Sequence, residues 1–361
     1  MVTFLSVAAI VATRSLGSQQ VGTPWLKPVF TTSTIETSPV SRLAALAIGP
    51  QGTIAFVTAS GPDDVLMAIL DSSGVLVKHF GKRGEGPGEV RSPSVLEVST
   101  HGIRIWDSPN AKVIEYDLNG TFVRSLRPAQ TLGYVVAGPR LLGMRMEAGE
   151  WRPNEVDPVS GRLREILPSS DTFLNVHFGL IAGKVRSGPA PVPGIWNAGF
   201  LLADASRYRI ALFRWDGVLV RVLGRDIPAA HASAGRVDEL LNSQRRKAVQ
   251  QGVAVDEARM AAKRKSLLEQ DLPFITPGAP IRIDALQRIW VLGMEGDSAY
   301  ADVFTATGFV GRLHLPCRLF NGSWALAGAW LAVACAPDDP DFDGDAVIKT
   351  FRIVESVRKG R

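Results

Sequence analysis

Short apolar runs, alternating with polar residues and punctuated by glycine, recur along most of this 361-residue chain. The clearest are LDSSGVLVK (70–78), YDLNGTFVR (116–124), VDPVSGRLR (156–164), FRWDGVLVR (213–221) and FTATGFVGR (304–312). Each has an apolar residue, a polar turn ending in glycine, and then alternating residues that close on Lys or Arg. That pattern predicts a β-hairpin: glycine supplies the positive φ of a tight turn, and the alternation sets one face of the following strand on a core. The glycines are Gly74, Gly120, Gly161, Gly217 and Gly308, separated by 46, 41, 56 and 91 residues. The shorter intervals lie near the period of four-stranded propeller blades, about 40 to 50 residues. The last interval is two periods long.

A change of pattern explains the long interval. From Asp226 to about residue 275 the β-like alternation stops, and RVDELLNSQRRKAVQQGVAVDEARMAAKRKSLLEQ is rich in Ala, Leu, Gln, Arg and Lys, a helical composition. Removing roughly 45 residues of helix restores the common period. Between the turns, short strands read as SVLEV, IRIWD, KVIEYD and TFVRSL in the second repeat, and PIRID, RIWVLG, YADVFTA and FVGRLHL in the fifth. The last repeat, SWALAG, AWLAVAC and AVIKTFRIV, lacks a fourth strand, and PVFTTSTI (28–35) can supply it from the other end of the chain. Such closure removes exposed sheet edges. The expected fold is therefore all-β: a six-bladed β-propeller over residues 21–361, with an α-helical insertion (226–275) between blades four and five.

The segment FGKRGEGPGEVRSPSVLEVSTHGIRIWDSPNAKVIEYDLNGTF, Phe80 to Phe122, resembles the repeat of NHL-type propellers, and especially the bacterial six-bladed β-propeller family. It has a Phe-Gly, a Gly-Pro-Gly-Glu turn, a Pro, paired strands, an Asp-x-x-Asn turn and a hairpin glycine. Asp204 with Tyr208-Arg209-Ile210 repeats the turn portion. The glycines Gly81, Gly84, Gly86 and Gly88 match neither a dinucleotide fingerprint nor a P-loop, and no helix pattern follows them. They read as a connector between blades, in which Pro87 fixes φ and Gly86 and Gly88 admit unusual dihedrals. Lys82, Arg83, Glu85 and Glu89 remain side chains that can meet a ligand there.

Charge adds little to this picture. Forty Lys and Arg against 35 Asp and Glu are scattered, with no basic block interleaved with aromatics, so a nucleic-acid partner is not expected. The start, MVTFLSVAAIVATRSLGSQQ, has an apolar run from Val2 to Ala12 followed by small and polar residues, which suits a signal peptide over residues 1–20 and a periplasmic or extracellular protein. That run is too short to span a membrane. Cys317 and Cys335 fit no metal spacing and can pair with each other in an oxidising compartment.

In an up-and-down blade the connections after strands two and four emerge on one face. The Gly-Pro-Gly-Glu connector, the Asp107 to Asn110 turn, the Asp204 to Arg207 turn, the helical insert and the acidic loop 337–345 therefore share a face, which is the candidate binding face. Asp107, Asn110 and Asp204 have two readings, as ligands in the funnel or as turn residues bonding their own backbone, the second being the commoner use of such side chains. Asp339, Asp341 and Asp343, followed by Gly344, form the first half of a calcium loop, but the twelfth position is Thr350 where a bidentate Glu is expected. His79, His101, His177, His231 and His314 show no zinc spacing, and no nucleophile elbow occurs. Two functions follow as expectations. The first is a non-catalytic exported monomer, without a required cofactor, that binds a protein, peptide or glycan on the insert-bearing face. The alternative is a calcium-dependent hydrolase or lactonase with its site in the central funnel.

Overall fold

The computed structural model describes residues 25–33, 43–58, 65–129, 132, 134–137, 140–147, 150–167, 192–196, 198–204, 208–228, 231, 234–250, 252–269, 281–295, 298–336 and 346–355. Within them the chain builds six four-stranded antiparallel sheets. Blade one holds β2 (Leu43–Ile48), β3 (Ile54–Thr58), β4 (Val65–Leu70) and β5 (Leu76–Lys82). Blade two holds β6 (Pro93–Val98), β7 (Ile103–Asp107), β8 (Lys112–Tyr116) and β9 (Phe122–Leu126). Blade three holds β10 (Tyr134–Ala137), β11 (Leu141–Glu147), β12 (Glu150–Val156) and β13 (Leu163–Glu165). Blade four holds β14 (Val192–Trp196), β15 (Gly199–Asp204), β16 (Arg209–Arg214) and β17 (Leu219–Gly224). Helices α1 (Ala234–Gln250) and α2 (Glu257–Glu269) follow in the chain. Blade five holds β18 (Arg282–Ile283), β19 (Ile289–Glu295), β20 (Ser298–Thr305) and β21 (Gly308–His314). Blade six holds β22 (Leu319–Ala327), β23 (Trp330–Cys335), β24 (Val347–Val354) and, outermost, β1 (Trp25–Ser33).

The innermost strands β2, β6, β10, β14, β18 and β22 stand side by side, and β2 beside β22 closes the ring. Closure is completed by β1, which runs antiparallel to β24 from Trp25↔Val354 to Ser33↔Val347. The donated strand starts at Trp25, before the expected Pro28, and carries a bulge between Pro28 and Phe30. Proline is tolerated there because this is the outer edge of a blade.

Packing between blades buries both faces of the inner strands. In β3, Ala55 and Val57 join Ile103 and Ile105 of blade two, while Ile54 and Phe56 join Trp330 and Ala332 of blade six. Every residue of β15 and β23 is buried for the same reason. The strands after the hairpin glycines behave differently from the expectation of one core-facing side. They are outermost, and β9 and most of β17 are exposed. Their glycines still do the predicted work: Gly120 sits at φ 73°, and a Cβ there would lie 2.9 Å from Phe80 Cβ.

Cys317 and Cys335 form a disulfide that ties the segment before β22 to the end of β23, with Cα atoms 5.5 Å apart. Among the described residues no helix is long and apolar enough to cross a membrane.

Two measurements check this account. Opening the 18-residue disulfide interval by Cys317→Ser should lower unfolding stability by about 3 kcal/mol in denaturant titration. Carboxylates in the hairpin turns give the second. Asp71 is held below its ordinary pKa first by the Ser73 hydroxyl, Asp157 by the Ser160 backbone N–H, and Asp216 by the Arg214 guanidinium. A depressed folded-state pKa gives stability that is present above the unfolded pKa, about 4, and lost as pH falls through the folded value. The triple variant Asp71→Asn, Asp157→Asn, Asp216→Asn should therefore lose less stability than the parent between neutral pH and acid.

Candidate ligand-binding face

The strand order puts the connections after second and fourth strands on one face of the ring, and those after first and third strands on the other. On the first face lie residues 83–92 between β5 and β6, the turn 108–111 after β7, the chain leaving β17 toward the helices, and the disulfide.

The connector is held by blade two, atom by atom. Asp107, fully buried, accepts the backbone N–H of Arg91 at 3.1 Å and of Ser92 at 3.0 Å, and the Asn110 side-chain amide at 2.7 Å. That amide also donates to the Gly84 carbonyl at 3.3 Å. Lys112, buried at the start of β8, donates to the carbonyls of Glu85 at 3.3 Å and Gly86 at 3.0 Å, and the Tyr116 hydroxyl donates to that of Gly88 at 2.7 Å. Burial, with Asp107 adding to it, pushes the Tyr116 hydroxyl far up in pKa, so it stays a donor. Glu89 accepts the Gly86 N–H at 2.8 Å inside the loop. Glu85 pairs at 2.9 Å with Arg91 on the surface. The positive φ angles fall at Gly81, Gly84 and Gly88 rather than at Gly86, which is instead spent on the Glu89 bond. Asp107, Asn110 and Glu89 thus serve the loop itself.

Blade four repeats the device with a different object. Asp204, buried, stands in register with Arg209 as Asp107 does with Lys112, and the residues before the two cations, Tyr208 and Ala111, both have positive φ, 51° and 47°. Arg209 holds the outgoing chain: it donates to the Arg225 carbonyl at 3.0 Å and pairs with the Asp226 carboxylate. Arg207 and the acidic triad Asp339, Asp341 and Asp343 lie outside the described residues, as does His177.

Beside this point lies a cluster that sequence reasoning missed. Asp302, fully buried in the middle of β20, accepts Arg312 Nε at 2.8 Å, Arg312 Nη2 at 3.2 Å, Arg225 Nη1 at 2.8 Å and the Tyr208 hydroxyl. Arg225 lies 4.1 Å from the Phe309 ring centroid and Arg312 3.5 Å from that of Tyr300. With four donors on two oxygens the carboxylate is saturated. Its effect is to clamp blade four to blade five where the chain departs for the helices. The sequence signal was an Asp at a core-facing position of YADVF. Among the described residues no group of three or more metal-ligating side chains occurs.

The helices are themselves fixed as a pair. Asp238 receives Arg264 at 2.6 and 3.1 Å, Arg245 reaches Glu257, and Lys263 donates to Gln244 at 2.8 Å. Gly252, at φ 69°, follows the end of α1, and Asp256 caps α2 by accepting the Arg259 N–H at 2.9 Å. Val237 and Leu241 are buried, whereas Leu240 is 45% exposed, Val249 66% and Val253 56%. A helix stripe is about 100° wide, and adjacent positions 240 and 241 are themselves 100° apart, so one of them falls off it.

No protein-family model matches the chain, and no curated protein does. Solved structures do. An exported protein of Bacteroides fragilis, described as putative, shares 12% identity, with a TM-score of 0.51 over 94% of this chain and 97% of that one. A member of the duf4221 family from Bacteroides vulgatus shares 9% identity, with a TM-score of 0.54 over 92% of this chain and 99% of that one. At these identities the likeness is one of fold.

Removing Asp302 leaves two arginines facing a buried gap, so Asp302→Ala should cost about 3–5 kcal/mol in urea unfolding. Glu85→Gln, which breaks an exposed pair, should cost under about 1 kcal/mol.

Proposed function

We propose that this protein is an exported, non-catalytic scaffold that binds a protein or peptide partner on the face carrying the helix pair. The observation that carries this reading is the state of that pair. It is ordered by its own caps and cross-helix bonds, yet Leu240, Val249 and Val253 stand in water. A pre-ordered element with unpartnered aliphatic side chains binds with little ordering cost. Residues 234–269 contain no aromatic side chain on which a sugar ring would stack, which favours a polypeptide over a glycan within this class. They carry eight Lys and Arg against five Asp and Glu, which suits an acidic partner. Export is supported by the disulfide, by the apolar N-terminal run, and by the exported description of the Bacteroides fragilis protein of like fold.

The test is an affinity capture from the exported fraction of the source cells, using the full chain and a Leu240→Asp, Val249→Asp variant as parallel baits. Both residues are exposed, so the variant should melt as the parent does while its captured partner is lost, with affinity down at least about tenfold. A partner held equally by both baits would move the site off the helices. Turnover of esters or lactones on adding calcium would replace the scaffold reading with the hydrolase one.

A further inference from the structure

The six innermost strands, LAALAI, PSVLEV, YVVA, VPGIW, RI and LFNGSWALA, contain two charged residues, Glu97 of β6 and Arg282 of β18. The sheet registers place them at one depth. Glu97 pairs with Arg104 next to the last pair, Val98↔Ile103, and Arg282 pairs with Trp290 next to the last pair, Ile283↔Ile289. Blades two and five are opposite in a ring of six, so the two residues confront each other across the central channel. Each lies within the other's electrostatic reach.

Their partners differ. Glu97 begins a row of charges that crosses blade two from channel to rim: Arg104 reaches it at 3.0 Å, Glu115 receives Arg104 at 3.1 Å, and Arg124 reaches Glu115 at 2.5 Å. That row is balanced, two carboxylates to two guanidinium groups. Arg282 is half-buried, and its Nε is buried without a hydrogen-bond partner among the described residues. Burial pushes its pKa down to about 10, opposed by the charge of Glu97. A buried N–H without a partner is costly, and a guanidinium that carries one is well matched by an anion.

We propose that Arg282 is an anion site in the central channel, taking the carboxylate of a small organic acid whose hydroxyl or ammonium hydrogen faces Glu97. A guanidinium fork fits a planar carboxylate in bidentate geometry. The Glu97 charge opposite disfavours a dianion such as phosphate and rewards a donor on the ligand. The site lies on strands remote in sequence from the helix pair and stands independently of what the helices bind.

The probes are acetate, glycolate and inorganic phosphate, each compared with chloride at matched ionic strength by thermal melting and calorimetry of the full chain. Acetate should raise the melting temperature saturably, glycolate more so, and phosphate least. Arg282→Gln should abolish the response to both carboxylates, Arg282→Lys should weaken it, and Glu97→Gln should remove the advantage of glycolate over acetate. Without any probe, Arg282→Gln should melt at or above the parent, because it removes a buried Nε–H that has no partner among the described residues. A variant that melts lower or fails to fold would make Arg282 a structural support and overturn the proposal, as would a carboxylate response that survives in Arg282→Gln or is absent from the parent.

Discussion

Everything in this molecule depends on the ring being closed. A blade here is apolar on both faces, as β3 shows by sending Ala55 and Val57 to one neighbour and Ile54 and Phe56 to the other. Such a sheet has no solvent side, and its faces are satisfied only when the sixth blade meets the first. The β1 strand, hydrogen-bonded to β24, ties the start of the chain into the last blade so that the circle is held by backbone bonds as well as by side-chain packing. The disulfide from Cys317 to Cys335 reinforces the same blade from within.

The polar groups buried between blades follow from that closure. Packing two apolar faces sets tilt and distance loosely, and specific bonds then fix where each chain segment passes. Asp107, Asn110, Lys112 and Tyr116 hold the backbone of the connector into blade two. Asp302 joins Tyr208 and Arg225 of the fourth blade to Arg312 of the fifth. These are the side chains that most resemble a catalytic apparatus when seen as residue types, and their hydrogen-bonding capacity is spent on the fold.

The two roles proposed above use groups the fold leaves unspent. On the face, these are aliphatic side chains on helices that the propeller does not need for its own sheets. In the channel, it is a guanidinium whose strand neighbour is apolar and which feels the charge of Glu97, itself engaged by Arg104. A rigid ring is suited to both, because it holds its loops and its inner strands in place without a ligand.

The repeat and its consequences were legible in the sequence because they are local. Glycine at the hairpin positions, the Asp-x-x-Asn turn and the loss of alternation after Asp226 each express backbone preferences within a few residues, and they led to six blades, a helical segment and a strand donated from the far end. Less regular stretches were harder: the strands of blade three and VPGIW of blade four lie among prolines and glycines that mask their period. What only the tertiary structure decided was the use of each charged residue. Whether Asp107 binds a ligand or a loop, whether Asp302 is free or saturated, and that Glu97 faces Arg282 all depend on which strands the closed ring brings together. Charge acts through distance in space, and local backbone preferences carry no record of the neighbour across a blade or a channel.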